Sequence, residues 1–152
     1  MSTDPDAKVL FRIAGEHGHV EVETLWAVAL GNDLYQLDNS PFYAYSVSWK
    51  DFVHAPFCTE EGRATFERVI SKSGHKTVRI ILDPAESDSE SSTVLQGLTA
   101  LGCSYEGAAR RLFSIDVPPE VALEDVRRHL IDHHIQWEHA DPSYEELYPN
   151  EA

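Results

Sequence analysis

Basic residues are scarce in this chain: 12 Lys plus Arg stand against 26 Asp plus Glu, a formal charge of −14. Such a charge repels phosphate backbones and anionic lipid, so nucleic acid and membrane surfaces are disfavoured partners. Long apolar runs are missing as well. The longest aliphatic stretch, Val78 to Leu82, is itself interrupted by Arg79 and falls far short of the roughly 20 residues a spanning helix needs. Met1 to Asp6 is acidic and has neither a basic region nor an apolar one. No secretory signal is therefore expected, and the chain reads as cytoplasmic. Cysteine is nearly absent. Cys58 and Cys103 lie far apart and form no CxxC, which fits a reducing compartment and leaves neither a disulfide framework nor a zinc knuckle. Catalytic signatures are lacking too: there is no GxSxG, no Walker-type loop, no GxGxxG and no catalytic-cysteine pattern. Hydrolase, nucleotide-dependent and dinucleotide-dependent readings are left without their machinery, and no cofactor is expected.

What is present is strand patterning followed by a mixed rhythm. Lys8 to Ile13 alternates, and Val20 to Leu30 runs to the turn Gly31-Asn32-Asp33, from which Leu34 to Leu37 returns. Asp38-Asn39-Ser40-Pro41 makes a second turn into Phe42 to Val47, where aromatic and β-branched residues predict another strand. Asp51 to Phe57 and Arg63 to Ser71 are expected to pair across Thr59 to Gly62. Thr77 to Leu82 then opens a second pattern. The spacing of Val94, Leu95, Leu98 and Leu101, stopped by Gly102, predicts a helix beginning near Ser91. Cys103 to Glu106 and Arg111 to Val117 read as a hairpin across Gly107 to Arg110. Pro118-Pro119 opens a helix with Leu123, Val126 and Leu130 on one face, and Ile135 to Glu138 is a last strand.

The expected fold is therefore α+β: a small bent N-terminal β-sheet or barrel packed against a ferredoxin-like βαββαβ lobe. The boundaries are 6–72 for the all-β lobe, 75–140 for the α+β lobe and 141–152 for an irregular acidic tail.

Leu34 to Phe42, with its Leu-Asp-Asn-x-Pro-Phe motif, then Val47 to Val53 and Ser73 to Arg79, resemble an uncharacterised bacterial family of small cytosolic proteins known only as a domain of unknown function. Leu101-Gly102-Cys103 and Asp116 to Pro119 carry the same character, and the resemblance runs from Lys8 to Glu138. Small acidic proteins of this kind occur beside bacterial toxin genes, so the resemblance implies room for an immunity role.

Three functional readings follow. The first is an immunity protein that occludes the active site of a basic toxin domain, such as an ADP-ribosyltransferase or a nuclease. Its free form would be a monomer or weak dimer. Its expected contact residues are Asp51, Trp137, Glu138, Asp141, Tyr144, Glu145, Glu146 and Tyr148, because exposed aromatics beside charges make interface anchors. After Arg128 no basic residue remains, while Asp132, Glu138, Asp141, Glu145, Glu146 and Glu151 follow. Deleting Asp141 to Ala152 should then weaken capture more than folding. The second reading is a small-ligand-sensing regulatory domain, with a polar pocket from Asp38, Asn39, Asp51 and Arg79. The third is a metal-dependent enzyme using His129 and His133, whose i, i+4 spacing puts two imidazoles on one side of a helix. That pair lacks an HExxH glutamate and borders the apolar stripe, so it reads as structural; His17 and His19 form a weaker pair. Cys103 reads as a small core residue.

Overall fold

A computed structural model describes residues 6–14, 20–83, 88–107 and 111–150. His17, His19, Ala108 to Arg110 and Glu151 lie outside the described residues. The fold is mixed α+β, with mostly antiparallel strands and three helices among the described residues.

β1 (Ala7–Ala14) pairs antiparallel along its whole length with the first eight residues of β2 (Val20–Gly31). One face of this ribbon sends Val9, Phe11, Leu25 and Ala27 into a core with Leu37, Val47, Val53 and Ala55. Asn32 and Asp33 both take left-handed φ, 57° and 62°, and turn the chain into β3 (Leu34–Leu37). β4 (Phe52–His54) and β7 (Arg68–Ser71) complete a sheet of order β1-β2-β3-β4-β7. The expected pairing of 51–57 with 63–71 is split: β5 (Phe57–Cys58) and β6 (Arg63–Ala64) form a separate ribbon. Pro56 has no N–H to give the ladder at that point.

The strand expected over Phe42 to Val47 does not form. The backbone N–H groups of Phe42, Tyr43 and Ala44 instead donate to the Glu23 carboxylate at 2.6, 3.1 and 2.9 Å. One buried side chain takes the donors that a neighbouring strand would have used.

β8 (Lys76–Ile81), α1 (Asp88–Leu101), β9 (Ser104–Gly107), β10 (Leu112–Val117), α2 (Leu123–Asp132) and β11 (Gln136–Asp141) follow in that order. Their strands form an antiparallel sheet of order β11-β8-β10-β9. Val78, Ile80, Leu82, Ile115 and Val117 on the sheet pack with Val94 and Leu98 of α1 and Val126 and Leu130 of α2. α2 begins later than Pro118-Pro119 suggests, because Val121 N–H first closes a turn on the Pro118 carbonyl at 3.0 Å. The helices approach closely at Gly97, where His129 Nε2 lies 3.0 Å from the Val94 carbonyl.

The opposite face of this sheet is polar yet hidden: Thr77, Arg79, Ser114 and Asp116 are all buried. Segment 41–51 lies over it. Ser114 Oγ donates to the Pro41 carbonyl at 2.8 Å, Arg79 Nη1 to the Ala44 carbonyl at 2.7 Å, and Ser46 N–H to the Ala140 carbonyl at 2.8 Å. The two larger sheets thus meet through hydrogen bonds instead of a shared apolar core, which is tolerable because the seam's polar side chains find partners for all but Arg79 Nη2.

The C-terminal segment is not the irregular tail expected from 141 onward. Asp141 ends β11, and Ser143 caps α3 (Tyr144–Leu147) in a reciprocal box with Glu146. Among the described residues no helix is long and apolar enough to cross a membrane.

Candidate functional site

Glu23 sits in the inward register of β2, opposite Phe11 and in phase with Leu25 and Ala27. By holding Phe42 to Ala44 it fixes the path of the loop that carries Tyr45 and Ser46 to the end of β11. There Tyr45, Ser46, Trp137, Glu138, His139, Ser143, Tyr144 and Glu145 line an open groove of about 560 Å3. Four of the sequence-predicted contact residues, Trp137, Glu138, Tyr144 and Glu145, are brought together in it.

Glu138 bridges the groove's base. Its Oε1 accepts from Arg79 Nε at 2.9 Å and its Oε2 from the Tyr45 hydroxyl at 2.8 Å. Burial, reinforced by Glu138, holds the Tyr45 hydroxyl above the ordinary phenol range, so it stays a donor at neutral pH. The Tyr45 ring lies 4.5 Å from the Arg79 guanidinium. Glu146 flanks the groove, accepting from Ser46 Oγ at 2.5 Å and from Ser143 N–H at 2.9 Å. Burial works against its charged form, but the bonds from Ser46 and Ser143 win and its carboxyl falls below the usual range. The Tyr148 ring lies tilted against Tyr144 at 4.8 Å between centroids, and both rings lie within 6.4 Å of His139. Burial, helped by Arg127, pushes His139 below its ordinary value, so this ring is neutral at pH 7.

Asp51 and Asp141 do not belong to the exposed surface, and their assignment as contact residues is corrected here. Both are buried beneath the seam, where Lys72 Nζ donates to Asp51 at 2.5 Å and to Asp141 at 2.6 Å. Asp51 also accepts from Ser48 N–H and Ser73 N–H, each at 2.8 Å, and Asp141 from Ser48 Oγ at 2.6 Å. Burial pulls Lys72 down, but the two carboxylates outweigh it and hold its ammonium above the ordinary range. A deletion from Asp141 onward would break this cluster, so it cannot spare the fold.

The polar pocket envisaged from Asp38, Asn39, Asp51 and Arg79 does not form. Asp38 accepts from the Trp49 indole at 3.2 Å, Asn39 from Trp26 N–H at 2.7 Å, and Arg79 pairs with Glu138, not with Asp38 or Asp51. His129 and His133 face each other at 4.6 Å between ring centroids, with His129 committed to the Val94 carbonyl. Among the described residues no group of three or more His, Cys, Asp or Glu is placed to share a metal ion. Cys103 is buried in the second core, and burial with nearby Asp116 pushes its thiol up to about 11. Sequence reasoning missed Glu23, Tyr45, Ser46, Lys72, His139 and Ser143. The signal for Glu23 was available: a carboxylate in phase with the apolar set of a strand.

These features define an α+β protein, built mostly of antiparallel strands, with an acidic aromatic groove between the loop carrying Tyr45 and Ser46, β11 and α3. The chain belongs to the family described as Domain of unknown function (DUF4265), whose model matches residues 23–139. It is also similar to a solved structure titled "Novel crystal structure of a hypothetical protein from Neisseria gonorrhoeae". That likeness has a TM-score of 0.76 at 16% identity and covers 94% of this chain and 99% of the other, so it speaks to the fold alone. No curated protein matches the chain.

Proposed function

We propose that this protein is an immunity protein, a cytoplasmic binding module that neutralises a basic antibacterial toxin domain by covering its active site. The carrying observation is the groove itself: exposed Tyr45, Tyr144 and Glu145 beside Glu138, on a chain of formal charge −14. Toxins acting on nucleic acid or anionic cofactors present basic clefts, and a concentrated negative field speeds their capture. Aromatic rings with carboxylates at the rim supply the anchors. The reading takes residues 6–72 and 75–140 as two lobes, the second ferredoxin-like. The supporting features are its strand order β11-β8-β10-β9 and the packing of both helices on one sheet face.

The test is co-expression with the toxin domain encoded beside this chain in its own genome, together with stopped-flow association. The wild type should protect cells, and its association rate should fall steeply from about 50 to about 300 mM salt. Tyr144→Ala with Glu145→Lys should slow capture by roughly ten-fold or more and abolish protection while leaving the melting curve in place. Protection that survives this double variant would remove the groove from the interface.

A further inference from the structure

Arg79 is 2% exposed, and three of its groups are committed: Nε to Glu138, Nη1 to the Ala44 carbonyl, and its π face to Tyr45. Its Nη2 is buried without a hydrogen-bond partner among the described residues. A cationic donor left unmatched inside a protein is costly, and such a group marks a place where an acceptor belongs. Arg79 is also a wall of a second cavity, about 170 Å3, formed with Ile81, Leu112, Gln136, Trp137 and Glu138. Ile81 stands directly opposite Leu112 on β10 and Gln136 on β11, so the cavity has an aliphatic step with an amide at its edge. It shares Trp137 and Glu138 with the larger groove, so one ligand can engage both.

The charge balance selects the acceptor. Glu138 already matches the guanidinium at 2.9 Å, and an incoming anion would meet that carboxylate and the chain's overall negative field. A neutral carbonyl oxygen meets neither. It can take the remaining N–H while its flanking carbon atoms rest on Ile81 and Leu112. β11 is an edge strand of its sheet, hydrogen-bonded to β8, which suits an extended segment lying alongside it.

We propose that the Arg79 cavity is a carbonyl-recognition subsite for an extended basic segment of the partner protein. Arg79 Nη2 takes a backbone carbonyl, Ile81 and Leu112 take the adjoining apolar atoms, and a basic side chain of the same segment lies in the groove beside Tyr144 and Glu145. This rests on the capture reading above for the identity of the occupant. Nη2 is shielded in the free chain, so occupancy requires the groups around the guanidinium to shift, the half-exposed Tyr45 ring 4.5 Å from it among them.

The experiment uses the full chain and three small probes, followed by NMR at the Arg79 side chain and the amides of Gln136 to Glu138. The probes are N-methylacetamide for the neutral carbonyl, acetate for the anion, and Nα-acetyl-lysine N-methylamide for carbonyl and cation together. N-methylacetamide should give saturable shifts at these positions, and acetate at equal concentration should not. The lysine derivative should bind several-fold tighter, about five-fold, a gain that Glu145→Lys removes. Ile81→Trp, which fills the cavity from its exposed side, should abolish saturation by both carbonyl probes and leave the remaining spectrum in place. The subsite is overturned if N-methylacetamide shifts stay linear, if acetate binds as well, or if Ile81→Trp changes nothing. No toxin is involved, so saturable carbonyl binding alongside failed protection refutes the immunity reading alone. Protection without saturation refutes the subsite alone.

Discussion

Replacing Lys72 by Met removes the shared counterion of two buried carboxylates. The Lys72 ammonium touches Asp51 and Asp141 at 2.5 and 2.6 Å, so their nearest oxygens lie within about 5 Å of each other. Without it, two like charges at that separation repel by roughly 3 kcal/mol at an effective dielectric of about 20. The Lys72 side chain is 44% exposed, so water entering its place screens part of this. Both aspartates also keep their bonds from Ser48, and Asp51 keeps the one from Ser73. A loss of about 2–3 kcal/mol at pH 7 is expected, below the full cost of stripping a buried pair of its partner. Urea unfolding followed by Trp fluorescence should show the midpoint falling by roughly 1–2 M. Lys72→Met with Asp141→Asn should cost less than the two single changes summed. In the wild type Lys72, raised in the fold above 10.5, contributes stability that is complete below that value and lost as the pH climbs through its folded pKa. A deficit under about 0.5 kcal/mol at neutral pH, or strict additivity in the double variant, would refute this account of the seam.

Three further outcomes can be measured alongside. Gly97→Ala would put a methyl 2.2 Å from His129 Cε1 and 2.5 Å from its Nε2. It should lower stability by about 1–3 kcal/mol in chemical denaturation, with His129→Ala recovering part of the loss in the same chain. Glu23→Gln replaces a carboxylate that accepts three backbone N–H groups with an amide that has one acceptor oxygen. It should cost about 1–2 kcal/mol and speed hydrogen exchange at Phe42 to Ala44, whereas unchanged exchange there would remove Glu23 as the loop's anchor. His139 is depressed in the fold below 6.5. Its contribution is present above pH 6.5 and lost as the pH falls toward its folded pKa, because the unfolded chain binds the proton first. Melting temperatures across pH 5 to 7 should show that slope in the wild type and a flatter line in His139→Gln.

Legibility followed the range of the interactions. The order strand, helix, strand, strand, helix, strand from Lys76 to Asp141 could be read from local periodicity, and it stands. The alternation of Val78, Ile80 and Leu82 gave the face that the helices cover, because burial on that side is apolar. Phe42 to Val47 carried every local mark of a strand, and a carboxylate roughly twenty residues earlier in the chain overrode it. The groove was half visible: acidic and aromatic residues after Gln136 are neighbours in sequence, but Tyr45 reaches Glu138 across a separation of 93 residues. Asp51 and Asp141 were misplaced because composition registers charge without registering burial. Their partner Lys72 lies 21 and 69 residues away.

The seam has an implication for how the molecule comes into being on the ribosome. Ser48 finds Asp141 across 93 residues and Ser46 finds Glu146 across 100. The loop bearing Tyr45 therefore leaves the exit tunnel long before its companions are translated. A chain that stops before β11 owns no finished cleft, since β11 and α3 follow the other described elements. Closure of the groove thus waits on β11 and α3, however early the loop bearing Tyr45 and Ser46 has been made.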